Sequence, residues 1–397
     1  MFHWKTMQER IASIIEEYDA QGDHRTGTEA DARGAEWLAA RIENLGVKSE
    51  LDTFAFKRIQ INTAGFRVGT LTIEGVPLFD CGLTGGEVEG SIGALGSDAD
   101  IGVAMSLPIT SNQADLVRRQ SAAAELEEAR RTSRHKAIVL VTDESMPTEG
   151  VAAINAPHFL KPYGPPVLQI PNRHWREICA LMEGKARATV IVACDYVDAS
   201  TSNVQASVAG SDPSLAPLLV MTPRSAWWSC ASERGGGIAA FLEIMRAVRE
   251  LNAPRTVIFT ANTGHELGHI GLDRFLGANP GLLTQAQTWM HLGANFAARL
   301  DGGIRLQYSN EDLRSLVLSH CGRQQVAPLS EAPYGARPAG EARNIFDGGG
   351  NYVSIVGRNG LFHHPMDRFP DAVDVPLTTR WVAVLVGVAT DLAARST

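Results

Sequence analysis

The segment Thr256–Leu276, TVIFTANTGHELGHIGLDRFL, decides how the chain is read. It opens on an apolar, β-branched run, Val257-Ile258-Phe259-Thr260, the signature of a buried strand. The run breaks at Asn262-Thr263-Gly264 and sets His265 and Glu266 side by side at the carboxyl end of that strand. In open α/β sheets ligands bind at that end. A His and a Glu there are candidates for a metal ligand and a proton carrier.

Two chemistries compete for these letters. His265-Glu266-Leu267-Gly268-His269 matches the zincin pattern H-E-x-x-H, in which a helix presents both imidazoles to zinc and the Glu acts as base. That reading would make His269 a ligand, and it needs a helix. Gly264, Gly268 and Gly271 oppose one, because each interior Gly costs roughly 1 kcal/mol relative to Ala. The alternative is strand, tight loop, then helix. In that frame the segment resembles the zinc aminopeptidase and glutamate-carboxypeptidase-like metallopeptidases, whose strand is followed by Glu-Glu-x-Gly-x-x-Gly. Gly268 and Gly271 fall in place, Glu266 takes the metal-ligand slot, and His265 stands where the family has its general base.

Composition sets outer limits. A chain of 397 residues suggests two domains, and 44% hydrophobic with 20% charged residues reads as soluble and globular. A net charge of -8 argues against nucleic acid as the main partner. No run of about 18 apolar residues stands out, so no membrane span is expected, and the amino terminus lacks the apolar core of a secretory signal. Cys81, Cys179, Cys194, Cys230 and Cys321 form no C-x-x-C pair, which suits a reducing cytoplasm.

Outward from the opening segment, Met7–Tyr18 reads as a helix with Ile11, Ile14 and Ile15 on one stripe. Thr28 is a candidate N-cap for a helix carrying Leu38, Ile42 and Leu45, ended by Gly46, and a strand follows over 47–56. This block resembles the amino-terminal entry of the same family. From 57 to 198 the character shifts to short strand-like runs (69–73, 137–142, 167–170 and 188–193) around one charged helix, 114–131. Arg134–Val141 and Pro165–Ile170 resemble the protease-associated domain inserted in this family; an unrelated β-rich spacer is the other reading. His135, His158 and His174 read as surface or packing residues. The expected fold is therefore α/β, a three-layer sandwich around a mixed, mostly parallel sheet. A catalytic domain over 1–56 and 199–397 would be interrupted by a β-rich insertion over 57–198 that shapes the cleft.

The resemblance also exposes departures. After the strand 215–221 the family has His-x-Asp, the His binding the first of two metals; here Pro223 or Arg224 fills that slot, and neither donates a lone pair. Glu233, at a helix start, takes the place of the Asp that bridges the metals, with Arg234 next to it. Gly293 fills the slot of the first metal's Asp, with His291 two residues before it. In Leu361-Phe362-His363-His364-Pro365-Met366-Asp367, His363 fits the second metal's His and Asp367 a partner that orients an imidazole. The slots that keep ligands, Glu233, Glu266 and His363, are those of one metal. The resemblance thus implies a mononuclear site, zinc first, manganese or iron as alternatives. It implies a hydrolase of an amide, peptide or related C–N bond with His265 as base. Arg224 would hold an oxyanion or carboxylate, and Trp227, His291, Arg234 and His364 would line the substrate site. The substrate would be a peptide or small molecule, and the chain could form a homo-oligomer. The opposing reading is an inactive homologue that has lost its metals and binds a ligand or partner.

Overall fold

The computed structural model describes residues 6–83, 85–106 and 113–396. Its spine is a parallel set of short apolar strands: Val257–Asn262 pairs with Leu218–Pro223, which pairs with Thr288–Leu292, which pairs with Tyr352–Arg358. Leu218–Pro223 is buried at every position, which a strand covered on both faces requires. Its side chains divide with period two. Leu218 and Val220 enter a core with Phe241, Phe259 and Leu385, while Leu219 and Met221 enter one on the opposite face with Leu272, Phe275 and Trp289. Helices Met7–Asp19, Ala231–Leu251 and Val375–Ala394 cover the first face, and Ile270–Ala278 with Ala342–Asp347 the second. The result is the expected α/β sandwich around a mixed sheet.

Several expected elements have the expected origin. Thr28 caps Glu29–Asn44 by accepting from the Asp31 amide, and Gly46 turns the chain at φ 71°. The stripe Trp381, Val384, Leu385 and Val388 is buried in the first core. That last helix, Val375–Ala394, is nevertheless long and apolar enough by composition to cross a membrane, which the sequence reading did not anticipate.

Strand lengths differ from expectation. The strand expected to stop at 56 runs over Ser49–Val68, and the short run near 188 extends over Arg187–Val208. The two form one antiparallel ribbon from Ser49↔Ala206 to Val68↔Ala188. A ladder of backbone hydrogen bonds between partners holds both extended where neither has a continuous apolar run. The residues at the expected domain limits, Lys57 and Asp198, are register partners on this ribbon, so the strands cross those limits without a break. Beyond them lies a separate apolar cluster including Phe66, Val103, Val139, Leu168 and Val190.

The helix that carries Glu233 sits unusually close to the strand ends. A Cβ at Gly237 would lie 2.6 Å from Thr222 Oγ1 and 3.1 Å from the Leu292 carbonyl, so only glycine permits this approach.

Candidate active site

Three loops meet where the parallel strands end. Asn262 is the register partner of Pro223, which places the loop carrying Ser225 beside the loop carrying Glu266. Glu266 lies in a single 3-10 turn, His265–Leu267. Gly264, Gly268 and His269 around it have φ of 69°, 86° and 67°, left-handed values that end any α-helix, and regular helix begins only at Ile270. The H-E-x-x-H reading therefore fails. The His265 and His269 rings stack with centroids 4.8 Å apart, and His269 Nδ1 pairs with Asn344 Oδ1 at 2.8 Å.

Glu233 occupies the first turn of Ala231–Leu251. Asp367 accepts from the Ser232 and Glu233 amides at 2.8 and 3.0 Å, capping that helix. Its expected role of orienting an imidazole is thus corrected: it orients the turn that bears Glu233. Burial pushes Asp367 up to about 7 and the Cys230 thiol well above its usual value. The ligand atoms of Cys230, Glu233 and Asp367 lie within 4.8 Å of one another. The Cys230 thiol resists ionisation and Asp367 is committed to two backbone amides, which suits a helix cap better than a cation site.

Arg234 organises the centre. Its Nη2 lies 2.8 Å from Glu233 Oε1 and 2.6 Å from Glu266 Oε1, and its Nε donates to the Ser225 carbonyl at 2.8 Å. The side chain is fully buried. Ser225 Oγ donates to Glu266 Oε2 at 2.7 Å and accepts from the His265 amide at 3.2 Å. Burial alone would raise the Glu233 carboxyl; the Arg234 charge overrides it and holds Glu233 at about 2. Arg234 was expected to touch substrate. Instead it is sealed between two carboxylates.

His363 has a left-handed backbone, φ 58°, uncommon for a residue with a Cβ and frequent at functional positions. Its Nδ1 lies 2.8 Å from the Ala153 carbonyl, which can only accept, so Nδ1 carries a proton, and in the neutral ring Nε2 is the nitrogen with the lone pair. Nε2 faces Glu233 Oε1 at 3.3 Å. Nε2 and Glu233 Oε2 are buried without hydrogen-bond partners, while Glu233 Oε1 is ion-paired with Arg234.

On the other side of the cleft, His265 Nδ1 lies 3.3 Å from Glu341 Oε1. Glu341 is fully buried, and its Oε2 accepts from Asn262 Nδ2 at 3.1 Å. Burial, with the Arg234 charge, pushes His265 well below the ordinary imidazole value, so it is neutral near pH 7. His291 pairs through Nδ1 with Ser354 Oγ at 2.8 Å and leaves Nε2 unpartnered; burial lowers it to about 4. His265, His291 and His363 border one cavity of about 890 Å³, whose wall includes Ala153, Arg305 and Arg343.

Three expected contributors lie elsewhere. Arg224 is 3% exposed, paired with Asp31 Oδ1 at 2.9 Å and donating to the Ser202 carbonyl, so it does not reach the cavity. Trp227 packs edge-on to Phe79 and donates to Asn155 Oδ1, beside a different, smaller cleft. His364 is fully buried, its Nδ1 accepting from the Met366 amide. Conversely, Ser225 and Glu341 belong to the site without having been singled out. A lone Ser and a Glu after a Gly carry no pattern, and both arrive from loops distant in sequence. Residues of the stretch 57–198 enter as well. Ala153, Ile154, Asn155 and Pro157 line the cavity, and the Ala156 amide donates to the Glu266 carbonyl at 2.7 Å.

His363 and Glu233 have the spacing of two ligands on a single ion. Two ligands bound to zinc at about 2.1 Å in tetrahedral geometry stand about 3.4 Å apart, close to the His363 Nε2–Glu233 Oε1 spacing of 3.3 Å. Glu233 Oε1 on one side of that gap is also ion-paired with Arg234. Glu266 is not within reach as placed. Among the described residues no three ligand atoms that include one of its oxygens come within 4.8 Å of one another. For a second ion Pro223 and Gly293 offer no side-chain ligand, and Arg224 is engaged with Asp31.

No family model and no curated protein matches this chain. Solved structures do. An aminopeptidase from Aneurinibacillus sp. strain AM-1 is 16% identical at a TM-score of 0.68, covering 98% of this chain and 94% of its own. A zinc aminopeptidase from Bacillus subtilis is 13% identical at 0.77, covering 98% and 96%. A peptidase M28 precursor from Shewanella amazonensis is 14% identical at 0.77, with the same coverages. At such identities the likeness is one of fold, and over nearly its whole length this chain has the fold of the zinc aminopeptidases.

Proposed function

We propose that this protein hydrolyses an amide or peptide bond with one divalent ion, held by Glu233 and His363. Zinc is the first candidate, with manganese and iron as alternatives. The observation that carries this reading is the facing pair His363 Nε2 and Glu233 Oε1, 3.3 Å apart, with the imidazole nitrogen lacking a hydrogen-bond partner. A bound ion would supply positive charge to a carbonyl oxygen and an acidified water. His265 takes a proton from water and returns it to the leaving amine. Glu341 holds the Nδ1 proton of His265, which leaves Nε2 as the accepting atom. Depressed basicity keeps that atom free at neutral pH. His291 presents Nε2 to the bound substrate. Arg305 and Arg343, which line the cavity and form no ion pair among the described residues, favour a substrate with a carboxylate, such as the carboxyl end of a short peptide.

The test is metal analysis combined with hydrolysis of a dipeptide panel. One equivalent of metal and measurable turnover, both lost in His363→Ala, are expected. A second reading, a metal-free homologue that binds a ligand in the same cavity, is favoured by the Arg234 charge between the carboxylates. Absence of bound metal and of turnover after zinc, manganese and iron reconstitution would decide for it.

A further inference from the structure

We infer that Arg234 takes, with its own side chain, the place of a cation between Glu233 and Glu266, making Glu266 the partner of a guanidinium and not a metal ligand. The inference rests on the single-ion reading. Three ties hold the guanidinium: Nε to the Ser225 carbonyl at 2.8 Å, and Nη2 to Glu233 Oε1 at 2.8 Å and Glu266 Oε1 at 2.6 Å. Ser225 Oγ fixes the second Glu266 oxygen, so that carboxylate is satisfied on both sides. Arg234 is 0% exposed, and a buried guanidinium keeps its proton. The positive charge is therefore permanent, is covalently attached, and sits where an ion bridging the two acids would sit.

Two consequences follow. Glu266 is withdrawn from any ion, which leaves Glu233 and His363 as the protein ligands. A divalent ion in the gap beside His363 must also sit near a fixed like charge, which weakens its binding. Arg234 is thus a positioning residue that sets both how many ions the site holds and how tightly.

Zinc affinity, read by competition with a chromophoric chelator on the full chain, tests this without reference to turnover. Arg234→Gln removes the charge and frees Glu266. The expected result is zinc binding at least about tenfold tighter than wild type, with the gain lost when Glu266→Gln is added. Arg234→Lys, which keeps a charge, is expected to remain within about threefold of wild type. Equal affinity in wild type and Arg234→Gln overturns the inference and leaves the single-ion hydrolase standing. Zinc bound by Arg234→Gln but not by wild type keeps the inference and overturns that hydrolase; no zinc in either folded protein overturns both. Should Arg234→Gln fail to fold, Glu266→Gln alone decides. Unchanged zinc affinity is expected, and a loss of about tenfold or more would make Glu266 a ligand after all.

Discussion

The Ala153 carbonyl accepts from His363 Nδ1 at 2.8 Å, and the His363 carbonyl accepts from the Ala153 amide at 3.2 Å, two residues 210 positions apart in the chain. This reciprocal pair ties the loop carrying Ala153 to the imidazole expected to grip the ion. It also fixes Nδ1 as a donor, so that Nε2 is the nitrogen turned to Glu233.

Ala153→Pro deletes one of the two bonds, because proline has no amide proton. The Ala153 carbonyl still accepts from Nδ1, so we expect the folded variant to bind zinc more weakly but by less than the roughly 10- to 100-fold cost of removing the partner of a metal-bound imidazole. Unchanged affinity in a variant with wild-type melting behaviour would show that the loop does not position His363.

The His265–Glu341 pair makes a kinetic prediction. His265→Gln should lower kcat/KM by about 10² to 10⁴. Glu341→Gln should cost less, with the loss falling on kcat, since Glu341 only orients the ring. Because His265 is held well below 6.5 by burial and by Arg234, the acid limb of kcat/KM should lie below pH 6.5. A limb centred at or above pH 7 would assign the base elsewhere.

Gly237→Ala should destabilise the fold. The new methyl would meet Thr222 Oγ1 at 2.6 Å and a backbone carbonyl at 3.1 Å, and neither can retreat without moving a strand end. A loss of about 1–3 kcal/mol is expected in denaturant unfolding. A neutral result would mean that the Glu233 helix is free to slide away from the sheet.

Stability should fall in mild acid. Burial lowers His24 to about 3, and the ring stacks on Tyr18 at 3.8 Å. Between about pH 6.5 and 3 the unfolded chain therefore binds a proton that the folded chain does not. Stability is full above 6.5 and drops as pH falls, by roughly 1.4 kcal/mol per pH unit for such a group. His291 and His364, each lowered to about 4 by burial, act in the same direction, while Asp367, raised to about 7, opposes them. His24→Gln should remove one proton's share of the slope; an unchanged pH profile of the melting temperature would contradict this.

Much of the architecture was legible because its signals are local. The β-branched run at Val257, the Thr28 cap, the Ile11-Ile14-Ile15 stripe and the glycines at 264 and 268 each state their geometry within a few residues. The glycines alone were enough to refuse the helix that the zincin pattern needs. Glu233, Glu266 and His363 were also readable, because each follows a recognisable strand or helix signal in the right order. The ribbon from Ser49 to Val68 was cut short because extended pairing over that length depends on its partner, Arg187–Val208, and not on its own apolar content.

The sequence by itself determined that Glu233, His265, Glu266 and His363 sit on segments that end at the carboxyl edge of the central strands. Only the tertiary structure decided what each of them does there. Arg224 and Arg234 look alike as letters beside a strand end and a helix start, yet one is spent on Asp31 and the other lies between two glutamates. Glu341 acquires a role only because a distant loop brings it to His265. The physical reason is that a charge is defined by its neighbours: burial, pairing and the direction of a lone pair are properties of the folded surroundings, and no residue carries them alone.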